Sequence, residues 1–224
     1  MEEPGPPRLE VLWPYAPGSP QRVGLVSGSF DPMTVAHAAL ADALVPSTDL
    51  VLLIYSSRTL PKEAGPGGEL GEPLLSPKDR VASLLAYCRS RRQLGVAVGS
   101  HGLYADQAEA AARLVPRSDL VFGVGSDKLA QLADPAWYDN RQAALDRLFR
   151  LSRVAYAVRE GGDERLASAL AQLDRWKDRI ERLALPPELA GLSSRGVREQ
   201  VARGRDVADL VPPEVRPFLE RRSP

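Results

Sequence analysis

The chain has 224 residues, 44% of them hydrophobic, enough for one sizeable α/β domain with its own core. Its 29 Lys and Arg balance 29 Asp and Glu, so no global field favours nucleic acid or an anionic membrane. The single cysteine, Cys88, excludes an internal disulfide and fits a reducing, cytoplasmic setting.

The first ten residues, MEEPGPPRLE, are acidic and proline-rich, so no signal peptide is expected, and no run approaches the ~20 apolar residues of a membrane span. Residues 1–21 read as an extended arm, with Trp13 and Tyr15 as its large anchors, ahead of a single domain over 22–224. Val23, Leu25 and Val26 predict a buried strand that gives way to small residues at Ser27-Gly28-Ser29. Asp31-Pro32 then forces a turn, and an apolar segment at helical spacing runs through His37, Leu40 and Leu44. A strand that opens through a glycine turn into a helix aims backbone N–H groups at one spot, which suits phosphate. His37 falls in the first helical turn, where an imidazolium donates to the same anion.

Asp49–Ser56 is a continuous apolar run, as expected of a parallel strand covered on both faces. Ser57–Pro73 is a glycine- and proline-rich loop whose only lysine, Lys62, together with Arg58, is either a contact for a substrate phosphate or a solvated charge. Ser76 caps a helix with Pro77 at its first position, and Val81, Leu84, Leu85 and Cys88 share one face, which makes Cys88 a core residue. A strand over Leu94–Val98 precedes Gly99-Ser100-His101-Gly102, and an alanine-rich helix over Asp106–Val115 precedes a strand over Asp119–Val124. That strand ends at Gly123-Val-Gly125-Ser-Asp127, a second glycine turn expected on the same sheet edge as Gly28. Asp127 either accepts from ribose hydroxyls or caps a helix over Asp127–Leu132. Arg153–Arg159 reads as a fifth main strand, Asp163–Leu183 as one long helix, and Leu183–Leu185 as a short sixth strand. Ser193 or Ser194 caps a final helical segment of about residues 193–224, with Val197 and Val201 inward and Gly204 ending its first helix. Serine hydroxyls, N–H groups and Arg198 converge there as a second anion site.

Gly28-Ser29-Phe30-Asp31-Pro32-x-Thr34-x-x-His37 resembles the signature Gly-x-Phe-Asp-Pro-x-(His/Thr)-x-Gly-His of the adenylyltransferase and cytidylyltransferase superfamily. Gly125-Ser-Asp127-Lys-Leu129 resembles the Gly-x-Asp-x-Leu segment of its mononucleotide adenylyltransferases, and Trp137 lies about where that family places an aromatic near the pyridine ring. Leu192-Ser193-Ser194-Arg195-Gly-Val-Arg198 resembles the family's Ile-Ser-Ser-Thr-x-x-Arg motif, which holds ATP phosphates. Thr34, Ala36 and Arg195 are departures: Thr34 is shared with pantetheine-type members, while Ala36 replaces a glycine and Arg195 a threonine.

The resemblance implies a Rossmann-like α/β fold, an open and mostly parallel sheet with helices on both faces. It implies an enzyme that transfers AMP from ATP to nicotinate or nicotinamide mononucleotide and releases pyrophosphate. His37, Thr34 and Arg198 are the expected catalytic residues. Gly28, Ser29, Phe30, His37, Gly125, Asp127, Ser193, Ser194 and Arg198 are expected to bind ATP, and Lys62 and Trp137 the acceptor. Mg2+ is expected to arrive with ATP, since no acidic cluster marks a protein-built metal site. The expected partners are ATP and a mononucleotide, without nucleic acid or membrane, and a homo-oligomer is compatible with the sequence. Thr34 keeps a phosphopantetheine adenylyltransferase as the alternative enzyme, and Ala36 with Arg195 keeps a non-catalytic nucleotide-binding protein as the alternative class.

Overall fold

A computed structural model describes residues 5–13, 19–57, 73–158 and 163–220. Its centre is a seven-stranded sheet in the order β1-β4-β3-β2-β5-β6-β7. The strands are β1 (Leu9–Val11), β2 (Arg22–Gly28), β3 (Leu50–Ser56), β4 (Leu94–Gly99), β5 (Asp119–Gly125), β6 (Ser152–Ala157) and β7 (Ile180–Leu183). All neighbours pair in parallel except β1, which joins β4 antiparallel through Leu9↔Gly99 and Val11↔Ala97. Part of the N-terminal arm is thus an edge strand, its backbone groups satisfied by the domain.

The central strands are buried on both faces, so their sequences read as apolar runs instead of alternating. On one face Leu25, Leu52, Ile54 and Phe122 pack with α3 (Tyr104–Leu114), α4 (Ser126–Ala133), α5 (Arg141–Leu151) and α6 (Asp163–Gln172). On the other, Val26, Val51, Leu53 and Val121 pack with α1 (Val35–Leu44), α2 (Pro77–Cys88), α7 (Ser194–Ala202) and the segment leading to α8 (Arg216–Glu220). The α1 helix lies close on the sheet because β2 and β5 carry glycines beneath it. A Cβ on Gly123 would stand 2.9 Å from Leu44 Cδ1, and one on Gly24 3.1 Å from the same atom.

Two readings of the chain need correction. The stretch 163–183 is not one helix. Helical spacing does hold through Leu166, Leu170 and Leu173, but α6 ends at Gln172 and 3-10 turns follow over Asp174–Arg179. Trp176 there leaves helical geometry (φ −113°, ψ 16°) to stack on Phe149 with ring centroids 5.4 Å apart and to donate Nε1–H to Asp146 at 3.2 Å. The next residues form β7 over Ile180–Leu183, three residues ahead of the short strand expected at Leu183–Leu185, because pairing with β6 satisfies their backbone in a way helix propensity alone does not foresee. The α5 helix is the second correction, since no helix was read between Trp137 and Arg153. Asn140 caps it by accepting from the Ala143 N–H at 3.0 Å, and Ala144, Leu145, Leu148 and Phe149 form its buried face.

Candidate active site

The chain leaves β2 for β3 and β4 on one side, then crosses back to β5 on the other. The reversal falls between β2 and β5, and the crevice outside their carboxyl ends is where open α/β sheets take ligands. Gly28 ends β2 and Gly125 ends β5, so both glycine turns reach that edge.

Beyond Gly28 the chain turns sharply. Phe30 adopts a left-handed conformation (φ 46°) with its ring fully buried, and Asp31–Pro32 is a cis peptide. A bulky residue tolerates positive φ only where packing over-determines it, as the burial of the Phe30 ring does here. Thr34 then caps α1. Its backbone N–H donates to His37 Nδ1 at 3.1 Å, its hydroxyl stands 2.7 Å from the same nitrogen, and the His37 N–H donates back to Thr34 Oγ1 at 3.4 Å. Because Nδ1 accepts from a backbone N–H, the proton of the ring sits on Nε2. A donation from this ring to an anion at the helix start therefore comes from Nε2.

The α7 helix comes to the same place. Ser193 caps it by accepting from the Gly196 N–H at 3.1 Å, the Ser194 hydroxyl donates to the Pro32 carbonyl at 2.8 Å, and Arg198 Nη1 donates to the Asp31 carbonyl at 2.7 Å. The start of α7 and Arg198 therefore lie against the β2–α1 turn, with the Ser194 hydroxyl tying the two elements together and the Ser193 hydroxyl capping its own helix. Arg198 remains partly exposed, with 30% of its side chain accessible.

The other expected residues fall as follows. Phe30 and Thr34 are wholly buried, so the Phe30 side chain faces no nucleotide and Thr34 reaches the site only through His37. Asp127 is exposed in the first turn of α4, where its charge suits the helix N-terminus, but the cap position is Gly125. Trp137 is half-buried on a 3-10 turn, Pro135–Trp137, after α4, while its neighbour Tyr138 packs on the core. Burial pushes the Tyr138 phenol up to about 12. His101 lies just past β4, two strands away from β2, with Nδ1 2.8 Å from Ser100 Oγ. Lys62 and Arg58 lie outside the described residues.

No protein-family model matches the chain. Among curated relatives, a probable nicotinate-nucleotide adenylyltransferase of Laribacter hongkongensis is 30% identical over 225 residues, covering 88% of this chain and 91% of the relative. The chain belongs to the nicotinate-nucleotide adenylyltransferase family. Proteins with the same description from Chromobacterium violaceum (29% identity, 90% and 97% covered) and Thermomicrobium roseum (26%, 90% and 90%) agree. The fold matches that of the Plasmodium falciparum nicotinic acid mononucleotide adenylyltransferase complexed with APC, at a TM-score of 0.61 and 15% identity, over 90% of this chain and 95% of that one.

Two residues at this adenylyltransferase site escaped the sequence reading. Asp31 stands in the sequence as a turn former and a member of the Gly28–His37 signature with no role of its own, and Arg80 carries no motif at all. Arg80 sits four residues before Leu84 on the inward face of α2 and is 9% exposed, beside the buried Ser83, Leu84, Tyr87 and Cys88. A charge on an otherwise apolar helical face was the available signal.

Proposed function

We propose that the chain transfers the adenylyl group of ATP to nicotinate mononucleotide, forming the dinucleotide and pyrophosphate in NAD biosynthesis. The observation that carries this reading is the docking of α7 on the β2–α1 turn at the carboxyl edge of β2, through Ser194 to the Pro32 carbonyl and Arg198 to the Asp31 carbonyl, with His37 in the first turn of the helix that follows. Family membership supports nicotinate mononucleotide as the acceptor, since the relatives are named nicotinate-nucleotide adenylyltransferases.

In this reading the acceptor phosphate attacks the α-phosphorus in line and pyrophosphate leaves, with no covalent enzyme intermediate. The protein contributes position and charge. His37 Nε2–H donates to phosphate oxygens as their charge grows, and Thr34 holds the ring in that orientation. Arg198 and the α7 N-terminus at Ser193-Ser194 take the β/γ end. The Gly28-Ser29 and Gly125 turns let backbone approach the nucleotide, Asp127 accepts from ribose hydroxyls, and Trp137 and Lys62 serve the acceptor.

Among the described residues no group of three or more His, Cys, Asp or Glu side chains is placed to hold a metal. In this reading Mg2+ arrives with the triphosphate as part of the substrate. No helix among the described residues is long and apolar enough to cross a membrane. The test is to incubate purified protein with MgATP and nicotinate mononucleotide, nicotinamide mononucleotide or phosphopantetheine in turn, and to assay pyrophosphate. Release with nicotinate mononucleotide fastest is expected. ATP binding with no release from any acceptor would replace this reading with a binding-only one.

A further inference from the structure

A carboxylate next to a polyphosphate site is an electrostatic liability, and Asp31 is one. Its side chain is only 6% exposed, and its own backbone carbonyl anchors Arg198. The surroundings offset that charge on every side. Oδ1 accepts from the Leu75 N–H at 2.7 Å and Oδ2 from the Leu74 N–H at 3.2 Å. The Arg80 guanidinium stands 3.0 Å from Oδ2 and that of Arg198 3.7 Å from it. Arg80 is itself spread over three acceptors, donating Nε–H to the Leu75 carbonyl at 2.9 Å and Nη1–H to the Ser29 carbonyl at 3.5 Å. Its side chain is 11% exposed, so it is committed to this cluster and not presented to a ligand. Arg198 differs: it is engaged through Nη1 alone and remains partly open to solvent.

Building on the adenylyltransferase reading above, we propose that Asp31 is a positioning residue which, balanced by Arg80, fixes the Arg198 guanidinium for the ATP phosphates. One acidic side chain ties the β2–α1 turn to both the start of α2 and α7. Two guanidiniums facing one carboxylate leave the cluster net positive, so an approaching triphosphate still meets attraction. A guanidinium suits this task because its fork lets one nitrogen hold the protein while the others face an anion. Asn at position 31 keeps the shape but removes the charge that both arginines face, and its NH2 would point at a donor.

The test is a double-mutant cycle on ATP binding, read by calorimetry with MgATP, together with kcat and KM for ATP. Asp31→Asn is expected to weaken ATP binding about tenfold, and to weaken it by much less in an Arg198→Ala background, because residues in one network do not act additively. An unchanged ATP affinity in Asp31→Asn, or a loss that adds in full to that of Arg198→Ala, overturns the proposal. Should Asp31→Asn fail to fold, Arg80→Gln carries the same cycle: its effect on ATP affinity must likewise shrink when Arg198 is Ala, and full additivity refutes it. Wild-type protein that binds ATP but releases no pyrophosphate would remove the adenylyl-transfer reading, while the cycle would still decide the Asp31–Arg198 coupling.

Discussion

Thr34 and His37 hold each other in place: the N–H of Thr34 donates to His37 Nδ1 at 3.1 Å while the N–H of His37 donates to Thr34 Oγ1 at 3.4 Å. This reciprocal cap satisfies two of the N–H groups that a helix start leaves open. It also fixes the ring's orientation, with Nδ1 turned toward Thr34. Threonine in place of a second signature histidine therefore has a positive role here, as the group that orients the remaining imidazole.

His37→Ala should lower turnover on the order of 10²–10³-fold, the usual loss for one preorganised donor to developing charge. It should also cost about 1 kcal/mol of stability, because the cap loses a partner. Steady-state rates and thermal melts of mutant and wild type, side by side, check both. Wild-type turnover in a folded mutant would show that His37 carries no part of the reaction.

Thr34→Val separates positioning from contact. Thr34 is fully buried, so the substitution cannot remove a substrate contact, yet it deletes the hydroxyl that faces Nδ1. The backbone N–H bond to the ring survives. A fall in turnover of about fivefold is expected, equivalent to one neutral hydrogen bond, with KM for ATP nearly unchanged. A loss as large as that of His37→Ala would mean that Thr34 does more than orient the ring.

Trp137 is half-buried on its 3-10 turn, Pro135–Trp137. If its ring stacks on the acceptor, Trp137→Ala should raise KM for the mononucleotide by up to about tenfold and leave KM for ATP alone. The melting temperature should stay close to that of wild type. Equal increases for both substrates would place Trp137 outside the acceptor subsite.

The sheet was legible because parallel strands covered on both faces write themselves as unbroken apolar runs, as Leu50–Ser56 does. Capping chemistry was legible for a similar local reason: Ser76-Pro77 and Ser193 each state a helix start within four residues. What required the third dimension was long-range pairing. Nothing local tells Ile180 to leave the helical pattern for β6 ahead of the strand read at Leu183–Leu185, or Leu9–Val11 to add to β4. The site divides the same way. His37 and Arg198 carry motif signals, whereas the Asp31–Arg80 pair joins residues 49 apart whose meeting depends on how α2 packs on the sheet.

The alkaline limit of stability should come from the interior between α2 and the sheet. Burial pushes the Cys88 thiol up to about 12 and, with Arg91 opposing, holds the Tyr87 phenol higher still. Tyr138, on the opposite face, is also raised by burial. In the unfolded chain these groups ionise near their ordinary values, about 8.5 for Cys and about 10 for Tyr. A raised folded value means that the native state keeps protons which the unfolded state releases. The contribution is therefore complete below about pH 8.5 and declines as pH climbs towards 12. Urea unfolding at a series of pH values should show that decline, and Cys88→Ala should lessen its first part, where the thiol alone titrates in the unfolded chain. The same burial predicts that a thiol reagent leaves native protein unmodified at about pH 8 and labels one cysteine per chain in urea. Rapid labelling of native protein, or a flat alkaline profile, would show that Cys88 is not sealed in the core.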